Sequence, residues 1–472
     1  MTSPLILWFR QDLRLLDNPA LVAAEQEVRP IIPLYIFDNE DPWKPGGASS
    51  WWLHRSLEAF EGQLEAFGLK LILRSGSPET ILEELSRSTG ARLVYWNRLY
   101  EPYARARDEK IKTHLKSQGF EVKSFNSALL IEPWHHLKSN GTPYQIFTPF
   151  WKALLSKGPP AKPLAQPETL KSYAKHLPSE SLPPIPHWSG KLNEFWSPGE
   201  EYALTRLSEF LEKDLSSYSE DRNRPDKDST SRLSAHLHWG EISPRTIWYQ
   251  TLSQMLGCEA EGFAFLRELA WREFSYHLLY FHPKLSEEPL KKMFENFPWV
   301  NNPSALEAWQ KGITGYPFVD AGLRELWHTG GMHNRVRMVV ASFLIKDLLI
   351  HWRDGERWFW DTLVDADLAN NAASWQWVAG SGADASPYFR VFNPALQGEK
   401  FDPEGTYVKR WVPELQNLTP TWIHKPFAAP SSVLSQAGII LGKNYPYPLV
   451  DHNKARERAL AAYKVISKAT SS

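Results

Sequence analysis

Between Trp327 and Trp411 the chain sets GGMHNRVRM, DADLANNAASWQW and PYFRVFNP one after another, and this run carries most of its chemistry. If MHNRVRM is helical, Asn334 and Met338 share a face, with Arg335 and Arg337 on adjoining ones. A buried guanidinium requires a partner, and Asp365 and Asp367 are the obvious carboxylates. Asp367, Asn371 and Trp375 then follow at four-residue spacing, so one helix face can present all three. A carboxylate accepts from a ring N–H, and an amide bonds a ring nitrogen whether or not that nitrogen is protonated. The set suits a planar, phosphate-bearing, redox-active ring such as an isoalloxazine. The same residues also suit an ion-pair cluster between packed helices, and spacing alone leaves both readings open.

Two further segments bear on this. In DRNRPDKDSTSRLSAHLHWGEISPR, Thr230, Ser231 and Ser234 precede or open a helix, where hydroxyls and free backbone N–H groups either cap that helix or bind phosphate, with Arg232 adding charge. His236 and His238 lie two residues apart, on different helix faces and without a third ligand, which argues against a metal. In RELAWREF, Glu268 and Arg272 have the spacing of a surface ion pair. With Trp271 between them, Glu268 is alternatively a carboxyl beside an indole in a dry cavity, raised in pKa and able to donate a hydrogen bond.

These side chains need a frame, and the chain of 472 residues is long enough for two to four domains. From Leu5 to about Phe125, short apolar runs (LILWF, IIPLYIF, KLILR, LVYW, FEVKSF) alternate with helical patterns from Pro19, around Ser50 to Phe67, at Pro78 to Ser88 and at Pro102 to Gln118. That is the rhythm of a parallel sheet with crossover helices, Rossmann-like in layout but lacking the G-x-G-x-x-G turn. Eight prolines between Leu155 and Gly190 mark a connector. Beyond about Pro198 apolar residues recur every three or four positions, as expected of an all-helical body. The expected division is an α/β domain at 1–130, a linker at 131–197 and a helical domain at 198–472.

Composition removes several classes. No apolar run approaches the length of a membrane span, and no signal peptide is evident, so a cytoplasmic protein is expected. One cysteine, Cys258, excludes an intrachain disulfide, a cysteine-only zinc site and a four-cysteine iron–sulfur cluster. A net charge of -1 means that any nucleic acid must meet a local basic face. Candidates for that face include Arg222, Arg224, Arg245, Arg272, Lys291, Lys292, Arg390 and Lys400. Of the 22 tryptophans, 15 follow residue 187, a clustering that core filling does not explain.

WFRQDLRLLDNPAL, TSRLSAHLHWGEISPR, ELAWREF, GYPFVDAGLREL, MHNRVRM, DADLANNAASWQWVAGSGADASPYFRVFNP and GEKFDPEGTYVKRWVPEL together resemble the photolyase/cryptochrome family, and among its branches the cyclobutane pyrimidine dimer photolyases. The likeness runs from residue 5 to about 415. It implies an α/β antenna domain, a long linker and a helical FAD-binding domain. By motif, Tyr218, Thr230, Ser231, Leu233 and Ser234 would grip the FAD phosphates. Asn334, Arg335, Arg337, Asp365, Asp367 and Asn371 would surround the isoalloxazine, Asn371 facing its N5. Glu268, Trp271, Asn334, Arg335, Met338 and Trp377 would line the cavity for a flipped pyrimidine dimer, and Trp375, Trp352 and Trp299 would relay electrons for photoreduction.

The implied activity is light-dependent repair of UV-damaged DNA by a monomeric deoxyribodipyrimidine photo-lyase, with a cryptochrome-like blue-light photoreceptor as the alternative. Photolyases for (6-4) photoproducts carry histidines where this chain has Asn334 and Met338, and plant cryptochromes tend to carry Asp at Asn371 and a long tail, whereas this chain ends about 60 residues after Trp411. For the antenna chromophore, methenyltetrahydrofolate is the first expectation and an 8-hydroxydeazaflavin the second. Several folate-binding members have Asn-Glu at Tyr103-Ala104, and Trp43, Trp51 and Trp52 offer an alternative stacking surface.

Overall fold

A computed structural model describes residues 2–384 and 389–469; residues 385–388, of which 387 and 388 begin the PYFRVFNP motif, lie outside the described residues. The chain divides into two compact units. The first comprises Met1–Ser216, Ser231–Pro283 and Val364–Leu368; the second comprises Ser217–Thr230, Lys284–Leu363 and Ala369–Ser472.

The first unit is built on a parallel sheet. Strands β1 (Leu5–Phe9), β2 (Pro30–Phe37), β3 (Ile72–Ser75), β4 (Leu93–Asn97) and β5 (Glu121–Phe125) run in the order β3-β2-β1-β4-β5, and the two-residue β6 (Lys171–Ser172) pairs with β2. β1 and β4 are buried throughout and carry Val, Ile, Leu and aromatic residues, as strands covered on both faces must. Helices α1 (Pro19–Gln26), α2 (Gly47–Glu65), α3 (Pro78–Thr89) and α4 (Pro102–Ser117) alternate with β1 to β5. Proline at the first turn starts α1, α3 and α4, where a missing N–H costs nothing. The sheet has one core on each face. Leu7, Phe9 and Tyr95 face one, with Trp51 and Trp52 of α2, whereas Ile6, Trp8, Val94 and Trp96 face the other.

No helix forms between Ser156 and His187, where the prolines accumulate. Beyond β6 the described residues form helices and turns apart from one bridge, Leu441 to Tyr445. Trp51 and Trp52 are fully buried, and Trp52 Nε1 donates to Glu241 at 3.1 Å. They fill the core under the sheet and present no exposed stacking surface, contrary to the expectation for them. Among the described residues no helix is long and apolar enough to cross a membrane.

Candidate functional site

In the first unit the chemistry gathers around Asp367. Its carboxylate is 5% exposed, accepts from Tyr276 Oη at 2.5 Å and lies 3.4 Å from His238 Nδ1. Burial pushes this carboxyl up, but the bonds from His238 and Tyr276, with the charges of His238 and Arg272, hold it well below the usual range. Asp367 is therefore a fixed anion with acceptor capacity, suited to a ring N–H. Asp365 accepts from Ser234 Oγ at 2.6 Å, tying the TSRLS loop to the DAD segment. Within that loop Arg232 has φ +54°, a strained conformation for a non-glycine residue, and its guanidinium lies 4.3 Å from the Trp196 ring. Leu233 is buried and Ser234 exposed.

The histidines of this segment have partners of their own. His236 Nδ1 bonds Glu241, and His238 is placed on Asp367. Among the described residues no group of three or more potential ligands could hold a metal.

Glu268 and Trp271 lie on the helix Glu259–Phe281, one turn apart. Both are partly exposed, and the Trp271 indole stacks on Phe147 with centroids 3.7 Å apart and planes at 9°. The expected Glu268 to Arg272 ion pair does not form. Arg272 turns instead to the Ala128 carbonyl at 2.7 Å and to Glu273 at 3.5 Å, because its half-buried position offers a backbone acceptor and a nearer carboxylate. Two of the basic candidates are spent in this unit: Arg272 here, and Arg245, which holds Asp17 through two bonds of 2.7 and 2.9 Å.

In the second unit, helix Asn334–Ser342 begins on His333, whose Nδ1 accepts from Arg335 N at 3.1 Å. Asn334 is exposed, Met338 half-buried. Arg335 donates to Asn223 Oδ1 at 2.6 Å and lies 4.4 Å from the Phe401 ring, and it forms no ion pair among the described residues. The expectation that it pairs with Asp365 or Asp367 is thus corrected: a half-buried guanidinium needs only an amide oxygen and an aromatic face. Arg337 Nε donates to the Met332 carbonyl at 2.7 Å. Tyr218 is buried, and Thr230 is half-buried.

Asn371, 9% exposed, donates through Nδ2 to the Glu356 carbonyl at 3.0 Å, which fixes the amide and leaves its oxygen as an acceptor. Glu356 itself is 1% exposed, and neither carboxyl oxygen has a hydrogen-bond partner. Burial pushes it up from 4.5 to about 8, so it carries a proton at neutral pH. Sequence reading passed over this residue. Its signal was its position: Trp352, Gly355, Glu356, Phe359 and Thr362 are the buried face of helix Trp352–Thr362, at the three- and four-residue spacing of an apolar stripe.

That carboxyl gives a stability prediction. Its folded-state pKa lies above the unfolded value, so the native state binds the extra proton, and stability falls as pH rises from 4.5 towards about 8. The slope from this one group is at most about 1.4 kcal/mol per pH unit. Urea unfolding across that interval is expected to show a steeper decline in the natural protein than in Glu356→Gln, where the buried carboxyls of Glu273 and Asp402 still contribute; parallel curves would disprove it.

All three candidate relay tryptophans lie in the second unit. Trp375 and Trp352 are buried, 2% and 1% exposed, and Trp299 is half-buried. Trp375 packs against Gly355, where a Cβ would overlap its ring, and Gly355 lies three residues after Trp352. A glycine there brings the indole onto the helix that bears Trp352. Trp377 lines a small cavity with Lys346, Phe389 and Arg390. Lys291, Arg390 and Lys400 are exposed and make no ion pair among the described residues, whereas Arg224 and Lys292 are held by Asp226 and by Glu288 and Glu295.

Each unit by itself holds groups of the kind a flavin nucleotide uses: in the first, a fixed anion at Asp367, and in the second, an oriented amide at Asn371, a protonated carboxyl at Glu356 and a buried Nε on Arg335 without a hydrogen-bond partner. Comparison with known proteins agrees. Residues 5–168 match the model of the DNA photolyase domain, and residues 265–465 match that of the FAD binding domain of DNA photolyase. A deoxyribodipyrimidine photo-lyase from Agrobacterium fabrum is 50% identical over 99% of both chains, and Cryptochrome-1 of Arabidopsis thaliana is 40% identical over 96% of this chain and 69% of its own. The crystal structure of a bacterial class III photolyase from Agrobacterium tumefaciens superposes with a TM-score of 0.96 at 50% identity, covering 99% of this chain and 98% of that one. On these matches, and on a sheet and helical body of the same design, the chain belongs to the photolyase/cryptochrome family.

Proposed function

We propose that the chain is a deoxyribodipyrimidine photo-lyase that repairs cyclobutane pyrimidine dimers in UV-damaged DNA under blue light. The observation that carries this is the full-length likeness to photo-lyases at 50% identity, and the family motifs that bear Glu268, Trp271, Asn334, Met338 and Trp377 support the reading of a dimer cavity. When bound, FAD supplies light absorption and the electron that opens the cyclobutane ring.

The residues divide the remaining work. Tyr218, Thr230, Ser231, Leu233 and Ser234 hold the FAD phosphates. Asp365, Asp367, Arg335, Arg337 and Asn334 surround the ring system, and Asn371 faces N5 with an amide already oriented by the Glu356 carbonyl. Trp271 and Trp377 give the flipped bases an aromatic lining that offsets part of the cost of unstacking. Glu268 donates to the base carbonyl on which charge develops. Exposed Lys291, Arg390 and Lys400 neutralise DNA phosphates, which makes binding salt-dependent. Methenyltetrahydrofolate is the antenna chromophore of first choice, with 8-hydroxydeazaflavin second, and the protein acts as a monomer.

The test uses reduced, FAD-loaded protein and an oligonucleotide with one defined thymine dimer, in blue light and in darkness. Light-dependent recovery of intact thymines is expected. Recovery equal in both would overturn the reading and leave the cryptochrome-like photoreceptor.

A further inference from the structure

His351 lies against both outer rings of the proposed relay, Trp352 and Trp299. Its imidazole centroid lies 4.9 Å from that of Trp299, edge to face at 61°, and 5.6 Å from that of Trp352, nearly parallel at 28°. The ring is held in this place by its own backbone role. His351 is the N-cap of helix Trp352–Thr362, and its Nδ1 accepts from Arg353 N at 3.1 Å. An acceptor at Nδ1 requires the neutral tautomer with its proton on Nε2.

We propose that His351 is the bridging residue of the electron relay, a neutral imidazole that couples Trp352 to Trp299 and interrupts the relay when it is protonated. This rests on the reading of Trp375, Trp352 and Trp299 as the relay. In the step concerned, one electron passes from Trp299 to the oxidised Trp352, restoring Trp352 and leaving Trp299 oxidised. Trp299 then releases its indole proton to water, and a thiol in solution returns the electron. A cleft of about 370 Å³ opens over Trp299, His351 and Trp352, so water reaches both the indole and the imidazole.

Charge decides the gate. A proton on His351 places a positive charge on a ring 4.9 and 5.6 Å from the two indoles, opposing the positive charge that passes through each in the relay. It also removes the acceptor that caps the helix. Burial and the neighbouring Arg353 and Arg357 push the imidazole below its ordinary value against the pull of Asp354. Across the cleft stand Glu287, Glu288, Glu295 and Lys292; Glu288 is held by Lys284 and Lys292, and Glu295 by Lys292. At neutral pH the bridge is therefore uncharged and the relay open.

The experiment is flash photolysis of oxidised, FAD-loaded protein with a thiol present, reading the long-lived tryptophan radical, alongside FAD content, Tm and histidine NMR. His351→Asn keeps a capping acceptor and removes the ring, and its radical yield at about pH 8 is expected to be largely lost. His351→Phe keeps a ring, so most of the yield returns. Acidification should reduce the yield of the natural protein with a midpoint equal to the His351 pKa from NMR, and leave His351→Phe flat. Unchanged yield in His351→Asn, or the same acid midpoint in His351→Phe, overturns the bridge. Trp352→Phe and Trp299→Phe separate the two ideas. If both leave the yield intact, the relay itself fails and the bridge with it; if both abolish it while His351→Asn does not, the relay stands and the bridge alone is wrong.

Discussion

Glu268→Ala is expected to keep FAD and bind dimer-containing DNA, yet to lose most of its repair yield per absorbed photon. The side chain sits on the helix Glu259–Phe281, one turn before a tryptophan locked against Phe147. Arg272, its partner by spacing, is engaged with Ala128 and Glu273, so it does not draw Glu268 into an i, i+4 pair. In the proposed function the Glu268 carboxyl is a donor for the base carbonyl that becomes charged once an electron arrives. A hydrogen bond to a charged group contributes about 1.5–3 kcal/mol, so ring opening slows about tenfold or more without it. Ring opening competes with return of the electron, and a slower opening lets the return win. Glu268→Gln, which retains a donor, is expected to keep more of the yield than Glu268→Ala. Equal yields in Glu268→Ala and the natural protein would remove the residue from the mechanism.

How far these roles were legible in the sequence follows from the kind of information each needs. The sheet was legible because most of its strands are apolar runs and three of its four helices open on proline, signals local to a few residues. Asp367 precedes the helix Leu368–Ala379 and does not continue its face, whereas Asn371 and Trp375 lie on that helix one turn apart and were legible as neighbours because helical spacing is regular. Pairing was not, because it depends on distant segments. Asp367 is held by Tyr276 and His238, which stand 91 and 129 residues away in the chain, and no periodicity connects them. Arg335 found Asn223 rather than a carboxylate because its exposure was intermediate, a property of packing. Trp51 and Trp52 looked like a docking surface because three indoles lay close in sequence, yet the two face inward from α2. Glu356 was legible in principle, since a carboxylate on an apolar stripe is a mismatch between residue and position. Its neutrality at neutral pH follows from burial, which only the fold provides.

Trp375→Phe is expected to leave the oxidised flavin band almost unbleached under blue light with a thiol present, while repair by enzyme reduced beforehand continues. The two halves of this prediction rest on different residues, which makes it sharper than a loss of activity. Trp375 is buried in the second unit, its indole against Gly355 and edge to face with Phe359 at 5.0 Å and Trp309 at 6.4 Å. Phenylalanine retains the apolar contacts and leaves a cavity of modest size, so the cost in stability is about 1–2 kcal/mol and the fold survives. It does not retain the readily oxidised indole that gives the first electron in the proposed relay. In the proposed function repair calls instead on Glu268, Trp271, Met338 and Trp377, none of which the substitution alters. Two neighbours make the outcome informative. Trp309 is fully buried and donates its N–H to the Val340 carbonyl at 3.1 Å, so it lies close to Trp375 but is committed to the core. Trp352 stands one turn before Gly355, and Trp352→Phe should reproduce the photoreduction defect with the same sparing of repair. Bleaching at the natural rate in Trp375→Phe would mean that the first electron comes from another ring, and the relay would have to be drawn again from that ring outward.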